Sequence, residues 1–254
     1  IAMATTQKLP ADRCELGEGP TYDAGSDTAW WFDIVGRKLF EHRFATARTI
    51  AHDLPRMASV VCRIEGGRQL LAMDDGLYER TISDGALSLL APLEADNSVT
   101  RSNDGRVHPS GNLWIGTMGR KAEWQAGTIY WFDGAELRPL FRKVTIPNSI
   151  CFSPDGRTGY FADTSVNTIW RVALDAKTGL PSAEPEPAHR GEPGDHAPGG
   201  QYRDAEPVHR QRHRLRESLG QRAGRRQPGH PAQGLGDHAV LDGQGTQAGQ
   251  DEPQ

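Results

Sequence analysis

Short apolar runs, each entered by a Gly-, Pro- or Asp-rich turn, recur along the first two thirds of the chain. The clearest copy is Ile146–Val172, IPNSICFSPDGRTGYFADTSVNTIWRV. Its SPDG segment is a tight turn: Pro154 presets φ, Asp155 can bond its own backbone, and Gly156 accepts the positive φ that reverses the chain. The flanking runs Thr158–Ala162 and Thr168–Val172 are rich in β-branched and aromatic residues, which suits half-buried strands. Earlier copies follow the same plan. Residues 12–50 contain the strand Ala29–Phe32, then Asp33, a polar break and Lys38–Phe40. Residues 58–90 give Ser59–Ile64, a Glu65-Gly66-Gly67 turn, Gln69–Met73 and Gly76–Tyr78. Residues 106–142 give the turn His108–Gly111 and the strands Leu113–Gly116 and Thr128–Phe132.

No long apolar pattern of period 3.6 interrupts these runs, so the chain reads as all-β. A repeat of about 40 residues is the spacing of four-stranded propeller blades. A β-sandwich also carries many short strands. The recurrence of one cassette favours the propeller: turn, aromatic strand, Asp or Gly, gap, second strand.

The pattern stops near residue 187. Residues 12–187 are therefore expected to form about four blades, and 188–254 a separate low-complexity tail. From Ala188 to Gln254 there is no Ile, Phe, Trp, Met, Cys, Lys or Asn. Such a segment has too little apolar surface to offset an ordering entropy of roughly 1–2 kcal/mol per residue, so disorder is expected. Three origins fit: a mixed-charge linker, a basic nucleic-acid tail, or out-of-frame translation of a GC-rich gene. The last is preferred, because the tail's arginines carry no interleaved aromatics and the repeats stop mid-fold.

Charge and cysteines narrow the function classes. The net charge is −4, which points neither to nucleic acid nor to an anionic membrane. The three cysteines, Cys14, Cys62 and Cys151, are scattered and odd in number, as expected for buried reduced thiols rather than a disulfide framework. No run reaches the roughly 18 apolar residues that span a bilayer, and the N-terminus has no signal-peptide core. A cytoplasmic monomer is expected, with Met3 a candidate start or the chain a fragment.

Three polar clusters occupy equivalent places in the repeats, read as turns entering the innermost strand: Leu16–Pro20, Arg101–Gly105 and Pro147–Ser149. In a propeller such places meet at one end of the central channel, bringing together Glu18, Asn103 and Asn148. Carboxylate and amide oxygens are hard donors suited to Ca²⁺, Mg²⁺ or Mn²⁺ and tolerated by Zn²⁺. His42, His52 and His108 are isolated and offer no rival site. Asp33 and Asp163, which close equivalent strands, read as turn-bonding residues, and the strand tryptophans as packing. Asp104 shapes its turn or orients Arg101. Ser102 and Ser149 lack a neighbouring His, which argues against a serine nucleophile.

The strings LGEGPTYD, RSNDGRVHPSGNLWIGTMGRK and IPNSICFSPDGRTGYFADTSVNTIWRV resemble the regucalcin (senescence marker protein)/gluconolactonase family, in matching order and spacing over about residues 12–180. The resemblance implies a six-bladed propeller, of which about four blades are recognisable, and hydrolysis of a sugar lactone assisted by one divalent metal (Ca, Zn, Mn or Mg). It implies Glu18 and Asn148 as metal ligands and Arg101 and Asn103 as substrate-binding residues. The family's third ligand and general base, an Asp in a PDG turn, falls at Gly199, with Asp195 and Asp204 as the nearby carboxylates. Gluconolactone, arabinolactone and xylonolactone are all compatible substrates. Two alternatives remain at this point: a non-catalytic propeller scaffold, and a truncated or frameshifted relic whose ring does not close.

Overall fold

The computed structural model describes residues 6–64 and 66–191. Of the expected tail, 188–254, residues 188–190 are strand rather than disordered, because they pair with the preceding strand of the fourth sheet, and the part from residue 192 onward, with Asp195, Gly199 and Asp204, lies outside the described residues. Among the described residues sixteen strands form four antiparallel sheets, each a consecutive meander of four. The first sheet holds β1 (Gly17–Asp23), β2 (Thr28–Asp33), β3 (Lys38–Arg43) and β4 (Arg48–Asp53). The second holds β5 (Ala58–Ile64), β6 (Arg68–Met73), β7 (Gly76–Thr81) and β8 (Leu87–Pro92). The third holds β9 (Thr100–Val107), β10 (Leu113–Gly119), β11 (Gly127–Phe132) and β12 (Leu137–Val144). The fourth holds β13 (Pro147–Phe152), β14 (Thr158–Asp163), β15 (Thr168–Ala173) and β16 (Glu186–Arg190).

The first strands β1, β5, β9 and β13 neighbour one another in that order, so the sheets radiate as blades. The arrangement is four blades of a β-propeller, not a sandwich. Middle strands lose the buried/exposed alternation of a half-covered strand in this stacking, because neighbouring blades cover both of their faces. All seven residues of β10, LWIGTMG, are buried. The core is accordingly three apolar layers, one between each pair of blades. Trp30, Phe32, Leu39, Val61, Leu71 and Met73 belong to the first. Leu77, Leu93, Leu113, Ile115 and Phe132 belong to the second. Trp114, Ile129, Trp131, Ile150, Phe161 and Val172 belong to the third.

Two kinds of polar clamp reinforce the layers. The carboxylate of Asp33, at the end of β2, accepts the backbone N–H groups of Glu15, Leu16 and Gly36. Asp163, at the end of β14, does the same for Thr145 and Ile146 and also accepts from the N–H and hydroxyl of Ser165. Both are therefore structural, tying the segment that enters the innermost strand to the second strand of the same blade. Between the third and fourth blades, the indole N–H groups of Trp114 and Trp131 donate to Gly179 O (2.9 Å) and Thr178 O (2.7 Å). Nearby, buried His108 accepts from Ser110 N at Nδ1 (3.0 Å), which leaves Nε2–H to donate to Gly156 O at 2.9 Å. The SPDG turn forms as expected: Gly156 has φ +70° and donates to Ser153 O at 2.9 Å. The cysteines are free and partly buried, with Cys62 packed against the second apolar layer. Among the described residues no helix is long and apolar enough to cross a membrane.

Candidate metal and substrate site

One backbone irregularity builds the site. In every blade the innermost strand carries a β-bulge against its neighbour, at nearly the same height. Gly19 and Pro20 lie between the pairs Glu18↔Phe32 and Thr21↔Trp30. Asn103 and Asp104 lie between Ser102↔Thr117 and Gly105↔Ile115. Ser149 and Ile150 lie between Asn148↔Ala162 and Cys151↔Tyr160. A bulge unpairs the strand and re-aims side chains. Two bulge residues take left-handed backbone, Gly19 at φ +61° and Ser149 at φ +56°. At Gly19 a side chain is excluded outright, since a Cβ would lie 2.2 Å from Ser59 O. The polar clusters expected on entry turns thus sit on the innermost strands themselves. Gly and Pro in LGEGP, and Asn-Asp-Gly in the second cluster, mark bulges, which share the residue preferences of turns.

Three of the four expected site residues form one hydrogen-bonded chain. Arg101, 9% exposed, donates from Nη1 to Asn103 Oδ1 at 2.9 Å and to Ser102 O at 2.8 Å. Asn103 Nδ2 donates across to the fourth blade, to Asn148 Oδ1 at 3.0 Å and Pro147 O at 2.9 Å. Asn148 Nδ2 in turn donates to Thr164 Oγ1 at 3.0 Å. Glu18, on β1, joins electrostatically. Its carboxyl is raised above the ordinary range first by burial and then by Asp104, with the Gly19 N–H and Arg101 opposing. Burial, then Arg120, lowers the Arg101 guanidinium, and Glu18 offsets part of this.

Further residues support the cluster. Asp104 Oδ2 accepts the Ile150 N–H at 2.8 Å, so it braces the β13 bulge beside Asn148. The expected alternative, that it orients Arg101, is not what the geometry shows. Burial raises the Asp104 carboxyl, against the pull of the Ile150 and Gly105 N–H groups and Arg106. Ser59 Oγ donates to Ser102 Oγ (2.9 Å), which donates to Ala72 O (3.2 Å), locking β9 to the second blade. Arg120 anchors the β10–β11 loop through Ser98 O (3.0 Å) and Asp74 Oδ2 (2.8 Å). Asp74 Oδ1 is buried without a partner among the described residues. Neither Arg120 nor Asp74 stood out in the sequence, because each belongs to an unremarkable loop and only the fold brings them together.

The donor set fits a hard divalent cation. Asn148 Oδ1 accepts one hydrogen bond, from Asn103, which leaves its second lone pair free. Glu18 and Asp104 place two carboxyls within electrostatic reach of each other, a density of negative charge that a cation relieves. Among the described residues no group of three His, Cys, Asp or Glu side chains converges, so the candidate cation donors here are one carboxylate, Glu18, and one amide, Asn148.

The chain matches the SMP-30/Gluconolactonase/LRE-like region over residues 16–207. It is 52% identical over 171 residues to a Rhizobium meliloti (strain 1021) protein assigned provisionally as a sugar lactone lactonase, covering 67% of this chain and 58% of that protein. It is 32% identical over 183 residues to the pentonolactonase XacC of Haloferax volcanii, covering 70% of this chain and 60% of that one. Among solved structures it superposes on regucalcin, a calcium-binding protein from Agrobacterium tumefaciens, with TM-score 0.68 and 55% identity, over 68% of this chain and 59% of that one. The chain thus spans about three fifths of the length of these relatives.

Proposed function

We propose, for a chain that belongs to the SMP-30/gluconolactonase/LRE-like family, that it hydrolyses a sugar lactone to the aldonic acid with the help of a divalent cation. The observation that carries this reading is the Arg101–Asn103–Asn148 hydrogen-bonded chain, with Glu18 in electrostatic contact with Arg101. The names of the relatives support the substrate class, and the calcium-binding regucalcin supports a cation.

In this reading Glu18 and Asn148 hold the cation. When bound, it supplies Lewis-acid polarisation of the lactone carbonyl. Arg101 and Asn103 orient the sugar. The Arg101 guanidinium retains donors beyond those used on Ser102 and Asn103, and these face a site whose burial strengthens each bond. Asn103 positions Asn148 with both of its amide hydrogens engaged, and its Oδ1, which accepts once from Arg101, keeps a lone pair for a sugar hydroxyl. By family resemblance the proton from the attacking water would go to an Asp in a PDG turn; that position is Gly199 in this chain, so the acceptor would be one of the carboxylates near it in sequence, Asp195 or Asp204.

The test is hydrolysis of gluconolactone, xylonolactone and arabinolactone by the purified chain in a pH-stat, with and without EDTA, alongside metal analysis. Chelator-sensitive hydrolysis above the spontaneous rate is expected, together with loss of bound metal in Glu18→Gln. Gly199→Asp should raise the rate by about 10²–10⁴-fold, the usual range for a general base. A chain that retains no metal and leaves every lactone at its spontaneous rate would refute the proposal and favour a non-catalytic scaffold.

A further inference from the structure

The second strand of every blade ends in the same way. The residue that follows it donates its backbone N–H to the residue that precedes the first strand: Ile34 to Leu16 (3.0 Å), Asp74 to Met57 (3.0 Å), Arg120 to Val99 (2.8 Å) and Thr164 to Ile146 (3.1 Å). These four positions therefore share one height, at the end of the blades where Glu18 pairs with Phe32 and Asn148 with Ala162. Ile34 is apolar and fully buried. The other three are polar, and Thr164 already accepts from Asn148, which sets this row of positions against the cluster described above.

Asp74 and Arg120 bring charge to the row. Arg120 directs Nε to Ser98 O (3.0 Å), Nη1 to the thioether of Met57 (3.3 Å) and Nη2 to Asp74 Oδ2 (2.8 Å). A guanidinium carries five N–H groups, so one is left on each terminal nitrogen. Asp74 answers through Oδ2 alone, since its Oδ1 is buried without a partner among the described residues, and this single-point ion pair leaves the fork open. The Arg120 side chain is 31% exposed against 11% for Asp74, so the cation stands in front of its counter-charge. That cation also reaches Arg101, whose guanidinium it lowers. Lys121 follows, exposed and without an ion pair among the described residues, while Glu123 is turned back onto the Lys121 N–H at 3.0 Å. This lip of the site carries more positive charge than its own carboxylates offset.

We infer that Arg120 is a specificity-determining residue of this site, and that the lactone it serves best is acidic, a sugar lactone carrying a carboxylate in place of a neutral one. The inference rests on the lactonase reading above and adds the charge of the substrate. Two guanidiniums that repel each other gain most from a ligand that brings negative charge to them, and the planar fork of an arginine is the group that grips a carboxylate. A neutral sugar leaves that repulsion in place. Because Asp74 already offsets part of the Arg120 charge, a singly charged carboxylate matches this lip better than a doubly charged group.

The test compares D-glucono-1,4-lactone with D-glucaro-1,4-lactone, which differ only by a carboxylate at the far carbon, in a pH-stat at low salt with the full chain. The acidic lactone should show a kcat/KM about 10-fold higher, the contribution of one charge-assisted hydrogen bond, carried by KM and shrinking as salt is added. Arg120→Gln should erase the preference and Arg120→Lys should keep part of it. Asp74→Asn removes the opposing charge yet keeps an acceptor for Arg120, and should raise the preference about 3-fold. An arginine that only anchors its loop would instead weaken both lactones alike. If neither lactone is hydrolysed, the lactonase reading fails, and calorimetric titration with the ring-opened acids, glucarate against gluconate, decides the inference by itself: it stands if glucarate binds more tightly to the parent but not to Arg120→Gln. It is overturned if the parent handles the two lactones, or the two acids, alike, if the preference survives Arg120→Gln, or if Asp74→Asn abolishes it.

Discussion

Replacing Asp163 by Ala separates the clamp from the rest of the fourth blade. Its carboxylate accepts from Thr145 N at 2.9 Å, Ile146 N at 3.1 Å, Ser165 N at 3.2 Å and Ser165 Oγ at 2.8 Å. Thr145 is 2% exposed, so water cannot reach its N–H once the acceptor is gone. Ile146 is partly exposed and recovers some solvation. At roughly 1–3 kcal/mol per stranded buried donor, with the Ser165 contacts returning to water, the loss is about 3 kcal/mol. With an m-value of about 2 kcal/mol per M, the urea midpoint should fall by roughly 1.5 M. Asp163→Asn keeps the shape and one good acceptor and should lose about half as much. The control is Asp155→Ala in the exposed SPDG turn, where Asp155 accepts from Arg157 N and Ser153 Oγ. That variant should stay within about 0.5 kcal/mol of the parent, as surface changes usually do. If Asp163→Ala melts with the parent, or no lower than Asp155→Ala, the clamp is not a significant source of stability and the argument fails.

Three other predictions follow from the same geometry. Gly19→Ala forces a Cβ to 2.2 Å from Ser59 O at φ +61°, so it should cost at least about 2 kcal/mol and reduce metal retention, read by chemical denaturation and metal analysis. Burial alone would raise the Asp33 carboxyl, but the N–H groups of Glu15, Gly36 and Leu16, with Lys38, hold it below the ordinary range. The unfolded chain therefore takes up this proton more readily. The stabilisation is complete above the unfolded value, about 4, and is lost as pH falls through the folded one. Asp33→Asn should flatten the acid limb of the stability–pH curve, and an unchanged limb would count against the assignment. Burial pushes the Cys62 thiol up to about 12, so iodoacetamide at pH 8 should label it slowly in the native protein and promptly in urea, as followed by mass spectrometry.

How far the fold could be read from sequence depended on burial. Middle strands such as β2, TAWWFD, and β10 carry the apolar signal because both faces are covered by neighbouring blades. The outermost strands carry almost none. β16, EPAHR, is exposed at every position, and β4, RTIAHD, is at most half-buried. Their pairing is set by backbone hydrogen bonds and by the meander before them, which leave no trace in hydropathy. The site was legible as residue types: Arg101, Asn103 and Asn148 do meet. Their placement was not, because a bulge on a strand and a turn before it call for the same Gly, Pro, Asn and Asp. Asp104 shows the remaining gap. Its partner is a backbone N–H 46 residues away, and no side-chain pattern announces such a contact.

The bulges repeated in all four innermost strands have a consequence for assembly. Each offers one side-chain position at the channel end, so Glu18 and Asn148 come from the two outermost blades of the arc rather than from one local loop. Neither blade alone can hold a ligand that needs both. Under the proposed function, an ion held by the pair would act as a tie-rod across the arc, stabilising only the arrangement in which all four blades are docked, by an amount that grows with the logarithm of its concentration. Melting temperature measured against added cation would then read the integrity of the whole stack from one pair of oxygens.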